Sequence, residues 1–504
     1  MYYLWLFLHN NTGDIMKNRS IWKANVKNNR LPSLNRDTTC DILIIGGGIA
    51  GLSTAYFLRN CGKDIVLIDK GKCAEGSSSR NTGKLTFMQE LIYHKLEKNY
   101  SEEISKLYLE SQKEAIELAV NIIKENNIEC NLFDEDAYVF INKESDNQKL
   151  DKEINFYKKN NIECEIVEDI PVNYSVIKGI KTKGSYSFNP YKFLVSIKNI
   201  IKDKIDIYEN SRCTEVKREG YYYISRLENN TIIRSKYVVV ATQYPFFICP
   251  YFVPFKTKVE KSFVVSGKYE IDSFQAISEG KPTFSFNIYK DNDKYLVYSR
   301  RSHSITTNLD TRDDKKEIVE EYKDYFGNEP EYYFQNHDLM TYDYMPFIGK
   351  IDNYNMYVLT GFNKWGNTNG IIGGKVISDL VLNRENVYSG IFNPKRGLSF
   401  LKIKNLTIYN TMVMTRYILN KVVSNMSYYD DSVRIEYING KKCGVYRDNK
   451  GVEHIVSNIC PHMKCNLVFN YVDKTWDCPC HASRFDIDGN VIWGPSVYNI
   501  KIDN

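Results

Sequence analysis

Histidine is scarce in this chain, with seven in 504 residues, so any place where two of them stand close together is conspicuous. Charge of one sign is lacking as well. Sixty-seven Lys plus Arg against 62 Asp plus Glu leave a net charge of +5, too weak a field to attract nucleic acid. Long apolar runs are missing: the one stretch that imitates a membrane span, Ile42 to Leu58, holds 17 uncharged residues, the lower edge of a crossing, and is broken by glycines. Repeats and low-complexity tails are absent too. A hydrophobic share of 43% with 26% charged residues is that of an ordinary globular protein, which excludes disordered and fibrous classes. The opening MYYLWLFLHN has no basic start, no long apolar core and no small-residue cleavage site, and no arginine pair occurs in the first 30 residues. A cytoplasmic protein without a secretion signal is expected, with Met16 as an alternative start because Met1 to Asp14 shows no periodicity. What is present is enough chain for about three domains at roughly 150 residues each. Among twelve cysteines, Cys460, Cys465, Cys478 and Cys480 crowd together beside His462 and His481, which makes a metal site the first hypothesis.

Cys40 to Ile45 reads as a buried strand, three glycines lead into the helical run IAGLSTAYFLRNC, and Lys63 to Asp69 is a second strand. Tyr93 to Glu125 is helical and charged. Short strands follow at IDIYEN, YYYISRL and TIIRSKYVVVAT, and Thr257 to Ser299, rich in β-branched and aromatic residues, suggests an antiparallel sheet. Asp310 to Tyr325 predicts a surface helix, and the Gly-rich stretch Thr360 to Gly374 runs into a helix at KVISDLVLN. Between 391 and 425 stand Lys395, Arg396, Lys402, Lys404, Arg416 and Lys421 with no acid among them. Beyond Tyr428 come short strands and turns. The fold class expected is a Rossmann-like α/β domain, an α+β domain on an antiparallel sheet, and a C-terminal all-β module. The boundaries drawn are an extension at 1–35; a discontinuous dinucleotide-binding domain at 36–95, 190–256 and 335–390; a substrate domain at 96–189 and 257–334; a basic linker at 391–427; and the all-β module at 428–504.

Gly46, Gly48 and Gly51 form G-x-G-x-x-G between strand and helix, and Asp69 ends the next strand. The first glycine makes a tight turn, the second lets backbone approach a pyrophosphate, the third lets helix and strand pack closely, and the acid can accept from ribose hydroxyls. Taken alone the motif leaves FAD and NAD open, but no second copy occurs, which weighs against a reductase that also binds a nicotinamide. Downstream, EGSSSRNTG places Ser77, Ser78, Arg80 and Asn81 just after the second strand. This segment resembles the G-[ST]-[ST]-x-R-N-x-G stretch of the D-amino-acid oxidase superfamily, which includes glycine and sarcosine oxidases. VVVATQYPF, with Ala241 and Thr242, is similar to its strand and turn, and YDYMPFIGK followed by VLTGFNKWGNTNGIIGGK resembles its last flavin-contacting stretch. The resemblance covers most of residues 36 to 390 and implies FAD. It assigns Gly366, Asn367 and Thr368 to the flavin, with Asn367 or Thr368 capping a helix that begins near Gly370, whose positive end would stabilise reduced flavin.

Cys460-Pro461-His462, fifteen intervening residues, then Cys478-Pro479-Cys480-His481 reads C-x-H-x15-C-x2-H. Zinc can use these residue types, but zinc fingers keep their cysteines paired and their histidines paired, whereas here each loop supplies one of each. Two thiolates on one iron and two imidazoles on the other is the ligation of a Rieske [2Fe-2S] centre. The stretch from Cys460 through the Trp476 strand to the Gly494-Pro495 turn resembles a Rieske domain. That resemblance implies Cys460, His462, Cys478 and His481 as ligands and a disulfide between Cys465 and Cys480, as in respiratory-chain members. It also implies that Ser483 donates a hydrogen bond to a cluster sulfide. Phe485 stands where high-potential members have Tyr, so a lower potential is expected. Lys464 and Ala482 replace usual glycines, so the loop geometry beside the cluster is expected to differ.

FAD and a [2Fe-2S] cluster in one chain imply electron transfer. The flavin family implies oxidation of a C-N bond in a small amine or amino acid, with electrons passing through the cluster to an external protein acceptor. Two alternatives stand beside it: a reductase run in reverse from a ferredoxin-like donor, and a non-catalytic redox sensor or interaction protein. The other five His offer no iron triad of two His and a carboxylate, which speaks against a Rieske oxygenase. Catalytic residues are not legible. His303 is a weak candidate, with Arg300 and Arg301 beside it and Tyr344 near the flavin segment, all four read more readily as surface or core side chains. The linker segment Leu406 to Val423 is expected to form a helix packed on the flavin domain, with contact to an anionic membrane surface as the lesser reading.

Overall fold

The computed structural model describes residues 16–245, 256–304 (301–304 by backbone alone), 311–397, 407–408, 410–415, 418–419 and 431–502. Its first sheet runs in the order Phe347–Lys350, Met356–Thr360, Ile232–Val240, Thr38–Ile45, Ile65–Ile68, Asp206–Tyr208. The last five are mutually parallel, and the central ones are near-continuous runs of β-branched residues, as strands covered on both faces must be. Helix Ile49–Leu58 crosses from the first strand to the second, and helix Gly366–Val381 packs against it.

That second helix departs from expectation. It begins at Gly366, not near Gly370, and its glycines lie inside it. A Cβ on Gly370 would meet Ile49 Cγ2 at 2.7 Å and one on Gly374 would meet the Thr54 nitrogen at 2.7 Å, so close helix packing outweighs the poor helix propensity of glycine. Asn367 and Thr368 sit in its first turn, and neither caps it; the position before the helix is Trp365, without a side-chain cap. The charged stretch expected at Tyr93 to Glu125 is two helices, Ile92–Asn99 and Glu102–Glu125, because Ser101 restarts the chain by accepting the Ile104 N–H at 3.3 Å.

The second sheet has nine strands and is antiparallel, as the β-branched pattern predicts, except where Phe274–Ser278 runs parallel to Phe133–Ile141. Strand Tyr332–Thr341 lies wholly in this sheet, so the boundary drawn between 334 and 335 cuts through it. The extension at 1–35 is no loose tail over its described part: Trp22 is fully buried and donates its indole N–H to the Asn81 carbonyl at 2.6 Å.

The C-terminal module is all-β, with three strands between Val433 and Ser457 and four between Val468 and Trp493. It docks on the second sheet: Lys261 and Asp477 approach to 3.7 Å, both without solvent exposure, and Gln335 donates to Asp473. The basic linker is described only in part. Arg396 forms a two-pronged pair with Asp343, at 2.8 and 3.1 Å, and Lys395 donates to the Asp352 carbonyl at 3.3 Å, so these two charges serve the flavin domain. Lys402, Lys404, Arg416 and Lys421 lie outside the described residues. Of the segment expected to pack on the flavin domain, Ile408, Met412, Met414, Ile418 and Leu419 are exposed and Val413 is buried. No helix among the described residues is long and apolar enough to cross a membrane.

Candidate functional site

A cavity of about 520 Å³ opens along the carboxyl ends of the parallel strands. Such a switch-point crevice is where open α/β sheets bind ligands. Gly46, Gly48, Asp69, Ser77, Ser78, Arg80, Asn81, Ala241, Thr242, Gly366 and Asn367 line it; Gly51 and Thr368 do not. Gly46 has φ +114°, and a Cβ there would lie 2.8 Å from the Ala241 carbonyl oxygen; a Cβ on Gly51 would lie 1.8 Å from the Gly46 oxygen. Gly46 and Gly48 thus face the crevice, and Gly51 allows close packing under the turn. Asp69 accepts the backbone N–H groups of Gly47 at 2.7 Å and Gly71 at 2.8 Å, and burial raises its pKa. The Ser78 hydroxyl takes the Ile49 N–H at the helix start (3.0 Å). Arg80 carries its charge into this crevice with burial as the main influence on it, a ready partner for phosphate. Motifs almost three hundred residues apart meet: Asn81 Nδ2 donates to Asn367 Oδ1 at 3.2 Å, and Asn367 in turn donates to the Lys84 carbonyl at 2.9 Å. These donors, the glycine cradle and the crevice fit a dinucleotide such as FAD.

A polar network not foreseen from the sequence fixes the start of helix Gly366–Val381. Gln89 donates to Gln112 (2.8 Å) and to Thr368 (3.2 Å), Tyr108 donates to Gln89 (2.7 Å), and Gln112 donates to Asn369 (3.0 Å). Thr368 thus serves this network. Lys364, at the cavity, pairs with Glu260 at 3.3 Å, and Lys258 pairs with the other Glu260 oxygen at 2.6 Å. Burial opposes charge on Glu260, but Lys364 and Lys258 outweigh it and hold the carboxyl far below its usual range. Lys364 has φ +72° and Asn363 +52°, so the cavity loop keeps two side chains in the left-handed region. The signal for this cluster was Lys258 and Glu260, two positions apart and so on one face of an apolar strand. Arg300 is occupied by Glu317 and Glu321, Tyr344 lies half-exposed under Lys95, and neither lines the cavity. His303 belongs to strand Lys294–Ser304, but its side chain and that of Arg301 lie outside the described residues.

In the C-terminal module the two cysteine-histidine loops face each other. The sulfurs of Cys460 and Cys478 lie close enough to interact, which holds the Cys460 thiol below its usual range. Backbone N–H groups of His462 and Met463 point at the Cys460 sulfur, and those of Cys480 and His481 at the Cys478 sulfur. The rings of His462 and His481 lie 5.0 Å apart at 87°. His481 Nδ1 is buried without a hydrogen-bond partner, a donor atom left open for a metal, and burial beside His462 lowers its pKa to about 4. Cys465 and Cys480 form a disulfide, S–S 2.14 Å, as the resemblance implied. The sulfurs of Cys465, Cys478 and Cys480 also lie within 4.8 Å of one another, but the disulfide removes two of the three thiolates. The set able to hold a [2Fe-2S] cluster is therefore Cys460, His462, Cys478 and His481. The Ser483 hydroxyl lies at the Cys460 sulfur and accepts the Ser496 N–H at 3.0 Å. Lys464 (φ +58°) and Ala482 (φ +71°) hold the left-handed conformation that favours glycine. Ala482 instead packs its methyl group into a cluster with Val259 and Leu339. Leu339 lines the crevice, whereas His462 is exposed.

Residues 41–380 match the family described as FAD dependent oxidoreductase, and residues 420–502 match the Rieske [2Fe-2S] domain. The putative Rieske 2Fe-2S iron-sulfur protein YhfW of Bacillus subtilis (strain 168) is 28% identical over 498 residues, 95% of this chain and 96% of that one. Gamma-glutamylputrescine oxidoreductase of Escherichia coli (strain K12) is 30% identical over 110 residues, 22% of this chain and 26% of its own. Among solved structures, glycine oxidase from Geobacillus kaustophilus superposes with a TM-score of 0.60 at 12% identity, over 72% of this chain and all (100%) of that chain.

Proposed function

The chain belongs to the FAD dependent oxidoreductase family and carries a C-terminal Rieske domain, and from that premise we propose that it oxidises a C-N bond of a small amine or amino acid and delivers the electrons to an external protein acceptor. When bound, FAD accepts hydride and the [2Fe-2S] cluster carries single electrons. Cys460, His462, Cys478 and His481 are the proposed cluster ligands, and the crevice residues named above are the proposed FAD contacts. The observation that carries the reading is the contact of Ala482 with Leu339: the loop holding His481 leans on the wall of the crevice, while His462 faces solvent. The neighbour of His481 thus touches the crevice wall while His462 is exposed, an arrangement that suits a relay to a partner.

The substrate class rests on likeness to a glycine oxidase and a gamma-glutamylputrescine oxidoreductase. On this chain, Lys364 brings a cation to the cavity wall, suited to the carboxylate of an amino acid. Among the described residues, the seven cysteines outside the disulfide and the proposed ligand set are unpaired thiols, which fits a reducing, cytoplasmic compartment.

The test is an anaerobic titration of the holoprotein with a panel of amines and amino acids, following flavin absorbance and the cluster's EPR signal. Substrate-driven bleaching with growth of the cluster signal is expected. Bleaching by reduced ferredoxin alone would reverse the direction to that of a reductase.

A further inference from the structure

The match to the flavin family ends at residue 380, yet the crevice has a wall that comes from the other domain. Val491, Ile492, Trp493, Gly494, Ser496 and Val497 all line it. They belong to the last strand of the Rieske module, Val491–Trp493, and the turn that follows. This strand lies along the crevice rather than at its rim. At one end Lys70, next to Asp69 at the ribose end of the fingerprint, donates to the Ile492 carbonyl. Arg212 there donates to Asn499 at 2.6 Å and to the Val491 carbonyl at 3.2 Å. Further along, Trp493 packs its ring on His337 at 5.0 Å, between Asn336 and Asp338, which line the crevice themselves. His337 is fully buried with neither ring nitrogen hydrogen-bonded, so its ring serves here as a packing surface, and burial keeps it neutral. Beyond it, the Cβ position of Gly494 lies 3.8 Å from Tyr244 Cβ, beside the Ala241-Thr242 turn.

We propose that the segment Val491 to Val497 is part of the FAD site: the Rieske domain closes the dinucleotide into its crevice, and FAD leaves or enters only when that segment lifts. The chemistry suits the role. An apolar strip with its carbonyls tied down by Lys70 and Arg212 would exclude water from a dinucleotide lying against Gly46, Gly48 and Arg80 on the opposite wall. Ligand retention then depends on a domain that contributes none of the fingerprint. The proposal requires that FAD occupy the crevice, not any particular substrate or direction of electron flow.

The experiment uses the spacing of Tyr244 and Gly494, which falls in the Cβ separation a disulfide needs. The full-length holoprotein carrying Tyr244→Cys and Gly494→Cys is oxidised with diamide, and FAD release is followed by the recovery of free-flavin fluorescence after dilution, before and after reduction. The parent protein is treated in parallel. Release at least tenfold slower in the oxidised form than in the same polypeptide after reduction is expected, against less than a twofold change in the parent. Trp493→Ala, with the cluster's EPR signal intact, should release FAD at least tenfold faster than the parent. Equal rates before and after reduction, or failure of the engineered pair to close, overturns the proposal whatever Trp493→Ala does.

Discussion

Lys261 and Asp477 face each other across the domain junction at 3.7 Å with neither side chain exposed, one from the antiparallel sheet and the other one residue before Cys478. Asp477 has a second cation, Arg484, at 3.0 Å. Lys261→Met therefore leaves the carboxylate paired and should cost no more than about 1–2 kcal/mol. Asp477→Ala leaves two buried cations facing one fewer anion and should cost about 3–5 kcal/mol. Denaturant unfolding of both variants checks the order, and a larger loss from Lys261→Met would contradict it.

Asp343 gives a pH dependence. Burial works against its charge, but Arg396 outweighs it and holds the carboxyl below its ordinary value. A carboxyl depressed in the folded state adds stability that is full above its unfolded pKa of about 3.9 and is lost as pH falls through the lower folded value. Asp343→Asn should thus be less stable than the parent at pH 7. The gap between their melting temperatures should narrow below about pH 4, and a gap constant to pH 3 would refute the assignment.

Two left-handed residues should respond differently to glycine. Lys464 is exposed, so Lys464→Gly removes strain alone and should stabilise by about 1 kcal/mol. Ala482→Gly relieves similar strain but loses a buried methyl worth about 0.8 kcal/mol, leaving a net change near zero. Equal gains in the two variants would mean that the Ala482 contact contributes nothing.

The Cys465 to Cys480 disulfide closes a loop of 15 residues. A loop of that length is worth about 3 kcal/mol by chain entropy. Cys465→Ser should lower the stability of the Rieske module by that order while iron and labile sulfide remain at two each per chain in freshly purified protein, the content of one [2Fe-2S] cluster. Cys478→Ser should abolish both.

Phe485 is fully buried beside the cluster loops and offers no hydroxyl. One added donor to sulfur, worth about 1 kcal/mol, corresponds to roughly 40 mV for a one-electron couple. Phe485→Tyr should raise the cluster midpoint by that amount in an EPR-monitored redox titration. No shift would remove the idea that this position tunes the potential.

Both redox sites were legible because their chemistry is local. Gly46 to Asp69 and Cys460 to His481 each carry a complete pattern within one short stretch, and backbone geometry follows from it. The helix at Gly366 was not legible, because glycine's propensity argues against a helix there and only Ile49 and Ser53, three hundred residues away, explain it. The Gln89 network and the Lys364–Glu260 pair also depend on distant strands coming together. Trp493 reads as a strand residue of the Rieske module, and nothing in its neighbourhood announces a second surface against His337.

The basic linker makes the two domains one polypeptide. A partner on the same chain meets its target at an effective concentration set by the connection between them, instead of by the amount of protein in solution. Exchange between crevice and cluster is then a first-order event, indifferent to dilution. Under the proposed function, only the step between the exposed His462 and a separate protein acceptor is bimolecular in protein, so protein concentration and salt should act on electron delivery at that outward face.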